Sequence, residues 1–149
     1  MNARHGSIVA TVVLIVAIVL LYRRHALLGD GAIAITLQVA AVALMLWARV
    51  TFGRRSFHAA ANPTAGGLVT WGPYRYWRHP IYAAVLIFVW SGVLSHGLDW
   101  WAIGLALAGT LATAVRIGAE ESLLRAEFPG DSGYAGYARR TKRLVPFVF

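Results

Sequence analysis

Four apolar runs divide the chain: Ile8 to Tyr22, Gly31 to Ala48, Ile81 to Ser95, and a run from Trp100-Trp101 to Val115. The first is uncharged and rich in Val, Ile and Leu, and the second closes on Trp47 and Arg49. A helix needs about 20 apolar residues to cross a bilayer, with a range of about 17–25. Flanking Gly, Ser, Tyr and Trp extend the shorter runs into the interface. The pattern therefore predicts an all-α integral membrane bundle of four transmembrane helices, over about 8–22, 31–48, 81–96 and 100–127. Arg4 before the first run resembles the start of a secretory signal. Arg23-Arg24 follows directly, however, and no small-x-small site is present, so an uncleaved span is expected.

Composition supports this. Of 149 residues, 58% are hydrophobic and 13% charged, against about 25% charged in soluble domains. The length allows a single domain over 1–149, and the absence of cysteine excludes a disulfide framework or thiolate metal site. The net charge is +8. The basic residues lie between apolar runs, so topology and lipid headgroups explain them better than nucleic acid does. Arg23 and Arg24 follow the first run, and the turn between runs three and four has no Lys or Arg. The other twelve basic residues (Arg4, Arg49, Arg54, Arg55, Arg75, Arg78, Arg116, Arg125, Arg139, Arg140, Lys142 and Arg143) fall on the opposite side. That asymmetry predicts both termini and the long central loop on the cytoplasmic side, in a bacterial cytoplasmic membrane.

The Arg49–Pro80 loop is too long for a simple turn and too aromatic for disorder. Asn62 to Gly67 reads as a flexible stretch, and Leu68 to Trp71 as a short extended piece. The short 95–99 turn makes helices three and four antiparallel neighbours, with Gly92, Gly104, Ala108 and Gly109 allowing close approach. Thr36 and Gln38 read as interhelical hydrogen-bonding groups. Helix four should continue past Val115 until Pro129-Gly130 stops it. The 134–140 tail adds an amphipathic turn or two, and Arg143 to Phe147 returns an apolar end toward the membrane surface.

Two polar clusters carry the chemistry. The first is Gly72-Pro73-Tyr74-Arg75-Tyr76-Trp77-Arg78-His79-Pro80-Ile81-Tyr82. Pro80 suits the first turn of a helix. His79 then lies at the N-cap of helix three, where free N–H groups, the helix dipole and nearby Arg75 and Arg78 favour an anion such as a carboxylate or phosphate. An interfacial headgroup anchor has equal standing on these residues alone. The second cluster pairs Arg116 with Glu120 and Glu121 with Arg125, each at i,i+4. On a helix surface such pairs contribute only about 0.2–0.5 kcal/mol. Topology, however, brings this cluster to the same membrane depth as His79. The remaining histidines show no metal-ligand spacing, and no nucleotide-binding glycine motif or Ser-His-Asp set is present.

The 72–82 segment resembles the signature of the isoprenylcysteine carboxyl methyltransferase family, which groups with membrane phospholipid methyltransferases. Arg116, Glu120-Glu121, Leu124, Phe128, Tyr134, Tyr137 and Arg143-Leu144-Val145-Pro146 extend the likeness, so that it covers about residues 66–149. The resemblance implies S-adenosylmethionine as cofactor, bound on the cytoplasmic side under a cap of loop and C-terminal segment. Leu68, Val69, Tyr74, Arg78, His79, Pro80, Ile81, Tyr82 and Glu120 would line its pocket. Arg116 and Glu120 would be catalytic, and Arg116 and Glu121 would face the substrate. The implied reaction is methyl transfer to a lipophilic acceptor, foremost carboxyl O-methylation of an isoprenylcysteine-like molecule, with no metal and no nucleic acid involved. Phospholipid or small-molecule N- or S-methylation, a non-catalytic lipid-binding protein and a nicotinamide-dependent reductase are the alternatives. Three departures bear on substrate class or cofactor contact. Gly66 stands where eukaryotic relatives carry His, Phe128 and Tyr134 are two residues further apart than usual, and Gly118-Ala119 replaces acidic residues.

Overall fold

The computed structural model describes residues 3–53 and 67–144. Five α-helices follow in order: α1 (Ala3–Arg23), α2 (Ala32–Phe52), α3 (Pro80–Ser95), α4 (Trp100–Glu127) and α5 (Tyr134–Arg140). Among the described residues there is no strand, only an isolated parallel bridge between Trp77 and Lys142. The regular structure of the described residues is all-helical, as the hydrophobic pattern predicts. The piece expected to be extended at Leu68–Trp71 belongs to no strand, Trp71 itself is extended at φ −118° and ψ 174°, and the stretch leads into a 3-10 turn at Gly72–Arg75. The 62–66 stretch, the Gly66 departure and the 145–149 end lie outside the described residues.

α1, α2 and α4 are long and apolar enough to cross a membrane. α3 has 16 residues, about 24 Å at 1.5 Å per residue, short of a hydrocarbon core of about 30 Å. Local chemistry sets these limits. α2 outruns its apolar stretch because Gly53, at φ 67°, is the residue that stops it. Pro80 opens α3 with His79 as N-cap. Asp99 caps α4 by accepting from the Trp101 N–H at 3.0 Å.

Packing is pairwise and antiparallel: α4 runs along α1, and α2 along α3. Helices three and four are antiparallel neighbours as expected, but the close approach expected of their small residues needs correction. α3 and α4 do touch, and the Trp90 indole donates to Thr110 at 3.0 Å, but the glycines serve other partners. Gly109 faces Leu14 and Ala17 of α1, and Gly104 has nothing near it. Gly92 lies against the α1–α2 connection, where a Cβ would come 2.0 Å from the Leu27 carbonyl oxygen. Gly92→Ala must therefore push backbone apart. It is expected to cost about 1–3 kcal/mol or more, read as a lowered thermal midpoint in detergent; an unchanged midpoint would contradict this packing.

Leu21, Ala26, Leu27, Val89, Val93, Ala102 and Ala106 form the central core. Gln38 binds across elements as expected: its amide donates to the carbonyls of Leu27 at 2.8 Å and Phe88 at 3.1 Å and accepts from the Gly29 N–H at 2.9 Å. Thr36 does not. Its hydroxyl donates back to Ala32 at 2.7 Å within α2, which satisfies it locally. At the same end, the Asp30 N–H reaches Ser95 Oγ at 2.9 Å, and His96 Nε2 contacts the Leu28 carbonyl at 2.8 Å. These bonds join the two short connections, while the N-terminus of α1, the C-terminus of α2, the start of α3 and the far half of α4 gather at the opposite end.

Candidate functional site

The 3-10 turn is seated first. Gly72 has φ 61°, and a Cβ there would lie 2.7 Å from Thr51 Oγ1, so positive φ and close approach both demand glycine. The turn buries Tyr74, whose ring meets Phe52 at 5.4 Å between centroids. Burial pushes the Tyr74 phenol up from its ordinary pKa, with Tyr137 and Glu120 adding to the effect.

The chain then enters α3. His79 is 6% exposed. Pro80 has no N–H, and the first turn of a helix has no intrahelical acceptors for its donors. The imidazole lies between the two carboxylates of α4, with Nδ1 3.7 Å from Glu120 and Nε2 3.5 Å from Glu121. Its ring stands 5.8 Å from that of Tyr82.

The neighbouring carboxylates have different surroundings. Glu120 is 23% exposed at its side chain and forms an ion pair with Arg116 at 3.3 Å. The Tyr82 hydroxyl donates to Glu120 and accepts from Arg116 Nε. The Arg116 guanidinium also lies over the Tyr82 ring, 5.8 Å from its centroid, and its Nη1 donates to Thr11 of α1. Glu121 is 2% exposed. Arg143 binds it through Nη2 at 2.8 Å and Nε at 3.1 Å, while Arg78 and Arg125 approach to 3.5 Å. The hydrogen bonds and charge of Glu121 hold the Arg143 pKa above its ordinary value.

The C-terminal segment closes over this end. Backbone bonds run from Arg78 N to the Lys142 carbonyl at 2.7 Å, from His79 N to the Arg143 carbonyl at 3.2 Å and from Lys142 N to the Tyr76 carbonyl at 3.2 Å. The Tyr137 hydroxyl donates to the Tyr74 carbonyl at 2.7 Å, and Arg78 Nη1 to the Ala138 carbonyl at 3.0 Å. The longer Phe128–Tyr134 spacing is absorbed by a loop that closes on itself, with Gly133 N bonded to the Gly130 carbonyl at 3.1 Å and Tyr134 N to the Phe128 carbonyl at 3.0 Å. Tyr134 thus still packs inside, and burial together with Glu121 raises its phenol pKa.

Arg78, His79, Tyr82, Arg116, Glu120 and Glu121 are therefore joined in one network, while the Tyr74 carbonyl is held by the Tyr137 hydroxyl. Pro80 and Ile81 lie within the same turn of α3. Leu68 and Val69 are half-buried upstream, and the polar network does not reach them among the described residues. Gly118 lies on the exposed side of α4 with nothing near it. The sequence reading passed over Thr11, an uncharged residue inside an apolar run. It also missed the hold of Arg143 on Glu121, for which no local spacing exists.

The isoprenylcysteine carboxyl methyltransferase (ICMT) family profile matches residues 33–126. The chain belongs to that family. The family is named for methyltransferase activity, and three helices of this chain are long and apolar enough to cross a membrane. A curated relative, the cobalt-zinc-cadmium resistance protein CzcN of Cupriavidus metallidurans, is 39% identical over 80 residues, which is 53% of this chain and 35% of that protein. The match thus spans about a third of the relative's length. No solved structure matches the chain. Among the described residues, no group of three or more His, Cys, Asp or Glu is arranged to hold a metal ion.

Proposed function

We propose that this family member transfers a methyl group from S-adenosylmethionine to a lipophilic acceptor at the cytoplasmic face of a membrane. Carboxyl O-methylation of an isoprenylcysteine-like molecule is the reaction that best suits the site. The observation that carries this reading is the single network joining the His79 end of α3 to Arg116 and Glu120 of α4. Three helices long and apolar enough to cross a membrane support it; on this reading α3 would be a fourth span completed by the interfacial residues around it, and the basic residues would mark the cytoplasmic side.

The residues fit the cofactor. Among the described residues, buried Trp77 Nε1 has no hydrogen-bond partner, and Arg78 Nε and His79 Nε2 meet Glu121 only at 3.5 Å. Such groups are costly unless something pairs with them. His79, Arg78 and the first turn of α3 would hold the methionyl carboxylate. Glu120 would accept from the ribose hydroxyls or the amino group. The Tyr74 and Tyr82 rings would offer aromatic faces to a sulfonium. When bound, the cofactor supplies an electrophilic methyl whose C–S electrons return to sulfur as the acceptor oxygen attacks. A carboxylate acceptor needs no proton removed, so the residues mainly align the reactants and exclude water. Arg116 would orient that carboxylate. Glu121, already engaged by arginines, would fasten the site rather than touch the substrate.

N-methylation of a phospholipid or small amine is the second reading. The partial exposure of Glu120 favours it, since a carboxylate suits an ammonium acceptor. Purified protein is incubated with methyl-labelled S-adenosylmethionine and either N-acetyl-S-farnesylcysteine or total membrane extract. The first reading predicts a base-labile methyl ester, and the second a base-stable label in lipid. A protein that binds vesicles but transfers no label would be a lipid-binding protein instead. Arg116→Ala is expected to leave cofactor affinity near wild type and to lower turnover about 10–100-fold, the loss of one charge-assisted contact. Unchanged turnover would remove Arg116 from the acceptor side.

A further inference from the structure

We infer that α1 forms a wall of the acceptor side, with Thr11 as a positioning residue for Arg116. This rests on the reading of Arg116 as acceptor-facing. α1 lies entirely outside the 33–126 region that matches the family, and by hydropathy it is only a span. Its contact with α4 nevertheless changes character along its length. Leu14 and Ala17 form an apolar seam against Gly109. One turn nearer the N-terminus, Thr11 meets Arg116 instead. A further turn on, Ser7 is fully buried and its hydroxyl has no hydrogen-bond partner among the described residues. The polar face of α1 at this level is thus turned into the protein rather than toward lipid.

The bonds have a consistent direction. The Thr11 hydroxyl donates its proton to the Ser7 carbonyl at 2.8 Å, which leaves oxygen lone pairs to accept from Arg116 Nη1. Thr36 and Thr113 make the same back-bond within their helices, at 2.7 Å and 2.8 Å; Thr11 adds a bond from a charged group on another helix. On its other side, Arg116 Nε donates to the Tyr82 hydroxyl, which donates to Glu120. A guanidinium is a rigid planar fork. Holding Nη1 from α1 and Nε from α3 fixes its plane as well as its position. Arg116 is 8% exposed, so solvent offers little substitute for either partner. Thr11 therefore sets the angle at which Arg116 presents itself to an acceptor, and α1 contributes to acceptor recognition through that residue.

The test compares wild type, Thr11→Val and Thr11→Ser in detergent. Affinity for S-adenosylhomocysteine is measured by titration, kcat and KM with N-acetyl-S-farnesylcysteine, and hydrogen exchange of the Arg116 Nε–H by nitrogen-15 NMR. Thr11→Val is expected to keep cofactor affinity within about twofold, to lower kcat about 10-fold and to speed Arg116 exchange about 10-fold, the scale of one lost charge-assisted hydrogen bond. Thr11→Ser, which keeps the oxygen, should recover both. Wild-type kcat and exchange in Thr11→Val would overturn the inference. So would equal losses in both variants accompanied by loss of cofactor affinity, which would indicate packing alone. A wild type that neither binds S-adenosylhomocysteine nor transfers methyl defeats the proposed function, whereas the exchange comparison still decides whether Thr11 holds Arg116.

Discussion

Glu121→Gln is expected to loosen the C-terminal segment from the bundle at a cost of about 3 kcal/mol. Removing one partner of a buried ion pair costs about 3–5 kcal/mol. Glu121 is buried and accepts both Arg143 bonds, at 2.8 Å and 3.1 Å, with Arg78 and His79 each 3.5 Å away. The lower end of the range applies because the Arg143 and Arg125 side chains are 39% and 57% exposed, so water takes over part of their solvation. Arg78 and His79 have no such recourse. The same carboxylate reaches the N-cap of α3 and the strap formed by Lys142 and Arg143, so its neutralisation should free both. A lower thermal midpoint and faster tryptic cleavage within 139–143 are the expected readouts. An unchanged midpoint with unchanged cleavage would show that Glu121 fastens nothing. Arg143→Ala, which removes only the more exposed partner, should cost about 1 kcal/mol.

The second large effect is on cofactor affinity. His79→Ala and Glu120→Gln are each expected to weaken S-adenosylmethionine binding about 10–100-fold, the equivalent of one hydrogen bond to a charged group. Glu120→Gln should do so with little loss of stability, since its side chain is partly exposed and its amide can still accept from Tyr82. That separates the adjacent carboxylates, with Glu120 affecting binding and Glu121 affecting folding. Isothermal titration of both variants beside their thermal midpoints reads the difference. Wild-type affinity in either variant would remove that residue from the pocket.

Much of this arrangement was legible from local chemistry. Pro80 dictates where α3 begins and so makes His79 its N-cap. The i,i+4 spacing of Arg116 and Glu120 shows that α4 continues beyond its apolar run, and the short 95–99 connection brings that end of α4 beside the start of α3. Helix partners were not legible. A glycine permits close approach without naming the neighbour, and Gly92 proved to face the Leu27 carbonyl while Gly109 faced α1. Distant pairs were equally hidden: Arg143 on Glu121 and Tyr137 on the Tyr74 carbonyl depend on how the tail folds back. Thr11 left no signal because a threonine in a membrane helix ordinarily satisfies itself on its own backbone.

The central claim is that the His79 end of α3 and Glu120 of α4 together form a site for a sulfonium methyl donor. Titration of the purified wild-type chain with S-adenosylmethionine tests it most directly. The account predicts saturable binding at one cofactor per chain, competed by S-adenosylhomocysteine and not by nicotinamide dinucleotides. Absence of any saturable heat, or binding that nicotinamide dinucleotides displace, would contradict it.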